Sequence, residues 1–128
     1  MPQSYTSLAY HIVFSTRERR PMLPAELRPR VFAYIGGILR QERGALLSAG
    51  GTENHVHLLA AISKEQSLSD AVRVIKSNSS RWLHRDVGHP QFDWQDGYGG
   101  FTVDAGDNAA LVSYIENQEE QHRTVTFE

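Results

Sequence analysis

The sequence predicts an α+β domain in which helices cover one face of an antiparallel sheet, in the ferredoxin-like order βαββαβ. Two observations support this prediction. Four short segments are rich in strand-forming residues, and apolar residues recur at helical spacing in the segments between them. The length of 128 residues allows one hydrophobic core, so we expect a single domain over residues 1–128.

Turn signals and apolar periodicity define the individual elements. The predicted strands are residues 8–14, 45–49, 54–62 and about 100–103. The predicted helices run from Pro24 to before Gly44, from Ser67 or Ser69 to about Arg85, and from Asp107 or Asn108 onward. The last helix is an addition to the βαββαβ core, whose uncovered sheet face is left open for a ligand, as in RNA-binding RRM domains.

Composition excludes several classes of protein. The absence of cysteine rules out disulfides, thiolate metal sites and cysteine nucleophiles. We find neither a signal peptide nor an apolar run of about 18 residues, so we expect a soluble, cytoplasmic protein.

The net charge of −2 conceals an asymmetry along the chain. Residues 1–64 carry a net charge of +4 and residues 65–128 a net charge of −6. The loop after the first strand contains Arg17, Arg19 and Arg20, and guanidinium groups bind phosphate through paired hydrogen bonds. We predict phosphate contacts there, although a solvated surface would have the same composition.

His55 and His57 are the strongest chemical signal. On a strand, residues two apart project from the same face, so both imidazoles would lie together on the open face of the sheet. Val56, Leu58 and Ala60 would face the core instead. Paired imidazoles suit a metal, but two polar strand residues facing water would give the same pattern.

Tyr114 and Gln118 lie one turn apart on the last helix, so their side chains are neighbours. A tyrosine hydroxyl beside a metal-bound phosphate is a nucleophile for phosphoryl transfer, and the Gln118 amide oxygen offers a third metal ligand. Alone, Tyr114 would be interpreted as an amphipathic residue at the rim of the helix.

The middle helix has a basic face that includes Arg73, Lys76 and Arg81. This pattern suits contacts to a nucleic-acid backbone, and a solvated surface explains it almost as well. The aromatic residues Phe92, Trp94 and Tyr98 of the following Gly-rich stretch could stack on bases, but we favour anchoring of the loop to the core.

Five segments in this order resemble the single-tyrosine HUH transposases of small bacterial insertion sequences, which include the REP-associated tyrosine transposases. They are YHIVFSTRERRP (10–21), ENHVHLL (53–59), IKSNSSRWLH (75–84), FDWQDGYG (92–99) and YIENQEEQHR (114–123). The resemblance covers almost the whole chain, and ENHVHLL together with Y-x-x-x-Q is its most specific part.

The resemblance implies a metal-dependent DNA transposase that acts on single strands. It implies that His55, His57 and Gln118 hold Mg²⁺ or Mn²⁺, whereas ligand softness alone would favour zinc or another transition metal. Tyr114 would attack the scissile phosphate, leaving a 5′-phosphotyrosine and a 3′-hydroxyl for strand transfer. Members of the family are dimers that bind DNA hairpins, and in several the tyrosine helix acts in trans on the partner's site.

Three other functions fit parts of the pattern. A catalytically silent, RRM-like single-strand binder would have no use for two histidines, Tyr114 and Gln118 together. A nicking endonuclease of the replication-initiator type shares the histidines and the tyrosine but is usually larger. A metal-stabilised ferredoxin-like module would leave the arginine loop without a role.

Overall fold

The computed structural model describes residues 7–103 and 108–118, and its centre is a four-stranded antiparallel sheet. The strands are β1 (Ser7–Ser15), β2 (Ala45–Gly51), β3 (His55–Ser63) and β4 (Gly99–Thr102), in the spatial order β2-β3-β1-β4. The helices are α1 (Arg28–Gln41), α2 (Leu68–Trp82) and α3 (Asn108–Glu116). The predicted α+β class and the ferredoxin-like order of elements are therefore confirmed.

The main core lies between the sheet and helices α1 and α2. Alternate residues of the two central strands face it, because successive side chains of a strand point to opposite sides. The residues of these strands that belong to this core are Ile12, Phe14, Val56, Leu58, Ala60 and Ile62. The inward face predicted for β3 is confirmed, and the odd-numbered residues of β1 and β3 must lie on the other face.

The helices begin and end close to their predicted limits. Helix α1 starts at Arg28, later than the predicted start at Pro24, because residues 25–27 form a turn in which the Leu27 amide donates to the Pro24 carbonyl at 2.9 Å. Ser67, rather than Ser69, caps α2 by accepting a 3.1 Å hydrogen bond from the Asp70 amide. The predicted cap at Asp107 lies outside the described residues. Among those residues, no helix has the length and apolar character that a membrane span requires.

Strand β2 continues through Gly50 and Gly51, beyond its predicted end at Ala49. A bulge at Leu47 shifts its pairing with β3, so that Leu46 pairs with Ala60 on the core side and Ser48 pairs with Leu59 on the other side. Gly50, paired with His57, also lies on this second face. The bulge therefore brings a small, polar part of β2 beside the histidine pair.

The sequence predicted an open second face of the sheet, but the structure shows that a helix covers part of this face. Helix α3 packs across β2 and β3, and its Ile115 is completely buried. The physical reason is that Ile115 removes apolar surface from water there, against a sheet face where Leu59 is also buried. The added helix therefore covers part of the predicted ligand-binding face.

Candidate active site

His55 and His57 project from β3 on the α3 side of the sheet, as their spacing predicts. Their ring centroids lie 5.1 Å apart, and each residue is only 7% exposed. The two imidazoles are thus held in a fixed, nearly enclosed arrangement, unlike polar strand residues that simply face water.

Both rings are oriented by hydrogen bonds at Nδ1. His55 Nδ1 lies 2.9 Å from Thr52 Oγ1 and 3.0 Å from Asn54 Oδ1, in the turn before β3. His57 Nδ1 lies 2.9 Å from Nε2 of His11 on β1. Histidines that bind metals typically use one ring nitrogen for the metal and the other for such an orienting contact. Nε2 is therefore the nitrogen that each of these rings would offer to a cation.

His11 is a residue of the site that sequence reasoning missed. It stacks on His57 with ring centroids 5.1 Å apart, and burial lowers its pKa. A lowered pKa favours the neutral imidazole, which is the form that can accept a hydrogen bond. The sequence did contain a signal for His11. Because Tyr10 and Ile12 face the core, strand alternation places His11 on the opposite face, where His55 and His57 also lie.

Helix α3 brings Tyr114 beside His57, and Gln118 lies just beyond the end of the helix at Glu116. The Tyr114 ring stands edge-on to His57 at 5.8 Å and is 44% exposed. Gln118 is buried, and its Nε2 donates to the Tyr114 carbonyl at 3.0 Å. Since the amide nitrogen faces that carbonyl, the amide oxygen is the atom that Gln118 can offer as a ligand.

This donor set fits a divalent cation. Two oriented imidazoles and one amide oxygen are all neutral donors, and three protein ligands leave positions for phosphate oxygens. Within residues 7–103 and 108–118, no three His, Cys, Asp or Glu side chains are grouped to hold a metal. Among the described residues, Gln118 is the candidate for a third protein ligand, of another residue type.

The position of α3 on strand β2, which we call its seat, depends on Gly50. A Cβ atom at this position would lie 1.8 Å from the Ile115 carbonyl oxygen, so the helix backbone rests directly on the strand. Ser48 Oγ also donates to Glu116 Oε2 at 3.0 Å. Sequence reasoning missed this seat, although a glycine inside a strand often marks a close backbone approach.

An open cavity of about 410 Å³ lies beside the histidines and Tyr114. Arg19, Asp96 and Tyr98 line its outer side. Glu18 and Arg19 have φ angles of 54° and 56°, in the left-handed region that costs energy for residues other than glycine. The turn that presents Arg19 to the cavity is therefore strained.

The other two arginines of the loop form exposed ion pairs. Arg17 Nε donates to Asp93 Oδ2 at 2.8 Å, and Arg20 Nη2 donates to Glu18 Oε1 at the same distance. The structure therefore brings Arg19, but neither Arg17 nor Arg20, into the lining of the cavity.

The basic face of α2 divides into two groups. Arg73 and Arg81 are exposed, and each contacts a neighbouring residue of its own helix, Asp70 for Arg73 and Asn78 for Arg81. Lys76 instead donates to the carbonyls of Gln95 and Gly97, at 2.6 and 2.9 Å, and partial burial lowers its pKa. Lys76 thus links α2 to the loop of residues 92–98, the cavity loop, whose last residues line the cavity.

The aromatic residues of this loop confirm the anchoring interpretation for two of the three. Phe92 and Trp94 are buried, and Trp94 Nε1 donates to Ser79 Oγ at 3.0 Å. Tyr98 differs, because it is 41% exposed at the cavity.

Sequence comparison finds similarity to transposases. A sequence model of the family described as "Transposase IS200 like" matches residues 4–118. The transposase for insertion sequence element IS200 from Salmonella typhimurium is 30% identical over 121 residues, covering 89% of this chain and 78% of that protein. The ISDra2 transposase TnpA from Deinococcus radiodurans is 25% identical over 122 residues, covering 89% of this chain and 86% of that protein.

A solved structure shares the fold. The REP-associated tyrosine transposase bound to a REP hairpin aligns with a TM-score of 0.69 at 18% identity, over 91% of this chain and 69% of that chain.

Proposed function

Because the chain belongs to the IS200-like transposase family, we propose that it cuts and rejoins single-stranded DNA with Tyr114 as its nucleophile. The observation that carries this proposal is the 5.8 Å edge-on contact between the Tyr114 ring and His57. The tyrosine thereby stands at the rim of the cavity that the histidine pair lines, where a DNA phosphate can enter.

We further propose that His55, His57 and Gln118 hold Mg²⁺ or Mn²⁺. The two imidazoles alone would favour a transition metal, so the choice of Mg²⁺ or Mn²⁺ follows the family, because a labile, hard ion that keeps coordination sites for phosphate oxygens suits reversible phosphate chemistry. When bound, such an ion neutralises charge on the scissile phosphate. The orienting contacts at Nδ1 of both histidines prepare their Nε2 atoms for this role.

The reaction itself is an exchange of phosphodiester bonds. Tyr114 Oη forms a bond to phosphorus as the bond from phosphorus to the upstream 3′-oxygen breaks, and the phenolic proton is balanced by the proton of the new 3′-hydroxyl. The 5′-phosphotyrosine keeps the energy of the broken ester. Attack by another 3′-hydroxyl then releases Tyr114 and completes strand transfer without ATP.

The solved structure that shares this fold and the charge distribution support a DNA partner. A relative with this fold is bound to a REP hairpin, and we propose single-stranded DNA with hairpin ends as the substrate here. The proposed phosphate contacts are Arg17, Arg19, Arg20, Arg73 and Arg81. Lys76 contributes by holding the cavity loop in place. We also propose a homodimer. The seat of α3 on its own sheet supports a tyrosine that acts in cis.

A labelled single-stranded oligonucleotide carrying a family-type hairpin tests the proposal. With Mn²⁺ we expect a covalent protein–DNA adduct that survives SDS, and none with EDTA. His55→Ala and His57→Ala should each abolish the adduct while leaving DNA binding measurable, because each removes one cation ligand. His89→Ala is the matched control, since the His89 ring contacts the Met22 carbonyl and is not among the residues that line the cavity.

The same assay separates the alternative functions. A silent RRM-like binder retains the oligonucleotide without an adduct at any metal concentration. A metal-stabilised module neither binds nor cuts it. A nicking endonuclease forms the adduct but fails to join the strand to a second 3′-end. Adduct formation by both histidine variants at the wild-type rate would contradict the metal site.

The arginine loop gives a prediction about salt dependence. Log affinity falls with log salt, and each lost phosphate contact should reduce the magnitude of this negative slope by about 0.7 for single strands. Arg19→Gln should therefore reduce the magnitude by about 0.7, and replacing Arg17, Arg19 and Arg20 together should reduce it by about 2. Arg43→Gln is the control, because Arg43 also has a positive φ and pairs with Glu65 at an exposed site. An unchanged slope in the triple variant would mean that the loop only faces solvent.

A further inference from the structure

His11 lies beside the proposed metal ligands without being one of them. It is the central residue of β1, and its neighbour Ile12 is fully buried in the core, so the His11 ring must project on the α3 side. There it stacks on His57 at an interplanar angle of 29°. Its ring also stands edge-on to Tyr114 at 6.5 Å.

The contact between His11 Nε2 and His57 Nδ1, at 2.9 Å, joins two imidazoles. Such a bond needs one donor and one acceptor, so the proton on one ring determines the tautomer of the other. A cation bound at His57 Nε2 requires the proton of His57 to be on Nδ1. His11 Nε2 must then be the acceptor.

We propose that His11 is a positioning residue, which fixes the tautomer and the ring orientation of His57 for cation binding. This inference rests on the proposed function and adds a residue to it. His55 obtains the same support from Thr52 and Asn54 in a local turn. His57, in the middle of the sheet, obtains it from a neighbouring strand instead.

The position of His11 explains why an imidazole suits this place. Its ring packs against both His57 and Tyr114, and its Nε2 can accept a hydrogen bond from His57 at the same time. Phenylalanine would keep the packing and lose the acceptor. Glutamine would lose the aromatic ring and keep an acceptor oxygen.

The test measures Mn²⁺ affinity from the EPR signal of unbound Mn²⁺, in the full chain without DNA. Loss of a residue that hydrogen-bonds to a metal-binding histidine typically weakens metal affinity by about 10- to 100-fold. We expect His11→Phe to weaken Mn²⁺ binding by at least about tenfold, and His11→Gln to restore part of the loss. The metal-free thermal midpoint of His11→Phe should fall no further than that of His89→Phe, which also loses one histidine contact.

Wild-type Mn²⁺ affinity in His11→Phe would overturn the inference, as would equal losses in the Phe and Gln variants. If His11→Phe does not fold, His11→Leu provides the acceptor-free variant for the same comparison. A wild-type protein that forms no adduct with Mn²⁺ overturns the proposed function instead. Normal adduct formation by the wild type, combined with an unaffected His11→Phe, overturns only the role of His11.

Discussion

Tyr114→Phe should eliminate the covalent protein–DNA adduct and strand cleavage together. The substitution removes only the hydroxyl group, and the ring that stands against His57 remains. Because Tyr114 is 44% exposed, stability should change little, and single-strand binding should persist. Adduct yield on SDS gels, binding affinity and the thermal midpoint are the measurements.

Tyr34→Phe is the matched control for this prediction. Tyr34 lies on α1 and stacks on Trp82 with ring centroids 4.5 Å apart, on the other side of the sheet. Its hydroxyl should be irrelevant to cleavage, so this variant should form the adduct at the wild-type rate. An adduct of normal yield in Tyr114→Phe would mean that another residue is the nucleophile.

Gly50→Ala should reduce cleavage by at least about 100-fold. The new Cβ would lie 1.8 Å from the Ile115 carbonyl oxygen and 2.8 Å from its carbon, and neither backbone atom can rotate away. Helix α3 must therefore move, together with Tyr114 and Gln118. A displacement of about 1 Å at a reacting group can cost about 100-fold in rate. Single-turnover cleavage rates with saturating Mn²⁺ check this prediction.

Gly37→Ala provides the control substitution. Within α1, the nearest atom to an added Cβ is Arg40 Nη2 at 3.8 Å, an ordinary contact, and alanine favours the helix by about 1 kcal/mol. This variant should cleave normally and be slightly more stable. Normal cleavage by Gly50→Ala would instead mean that α3 does not pack on Gly50 of its own chain during the reaction, for example because it packs on the other subunit of a dimer.

Local patterns were sufficient to predict much of the fold and part of the site. The two-residue period of a strand places His55 and His57 on one face and Val56 on the other, whatever their partners are. The helical spacing of Tyr114 and Gln118 makes them neighbours for the same reason. Each of these relations depends only on residues that are close in the chain.

The remaining features depend on contacts between segments that are distant in the chain, and local sequence patterns do not reveal such contacts. The pairing of Val13 with His57 brings His11 beside the histidine pair, and the bulge at Leu47 sets which face Gly50 occupies. Together they determine where α3 rests. Lys76 likewise belongs to a regular basic pattern on its helix, and only tertiary structure directs its amine to loop carbonyls.

Peptide mapping of the adduct tests the central claim most directly. The wild-type protein is trapped with Mn²⁺ and a single-stranded hairpin substrate, then digested with nuclease and protease, and the modified peptide is sequenced by mass spectrometry. We predict a nucleotide joined through its 5′-phosphate to the hydroxyl of Tyr114. A 5′-phosphate on any other residue, or a 3′-phosphate on Tyr114, would contradict the account.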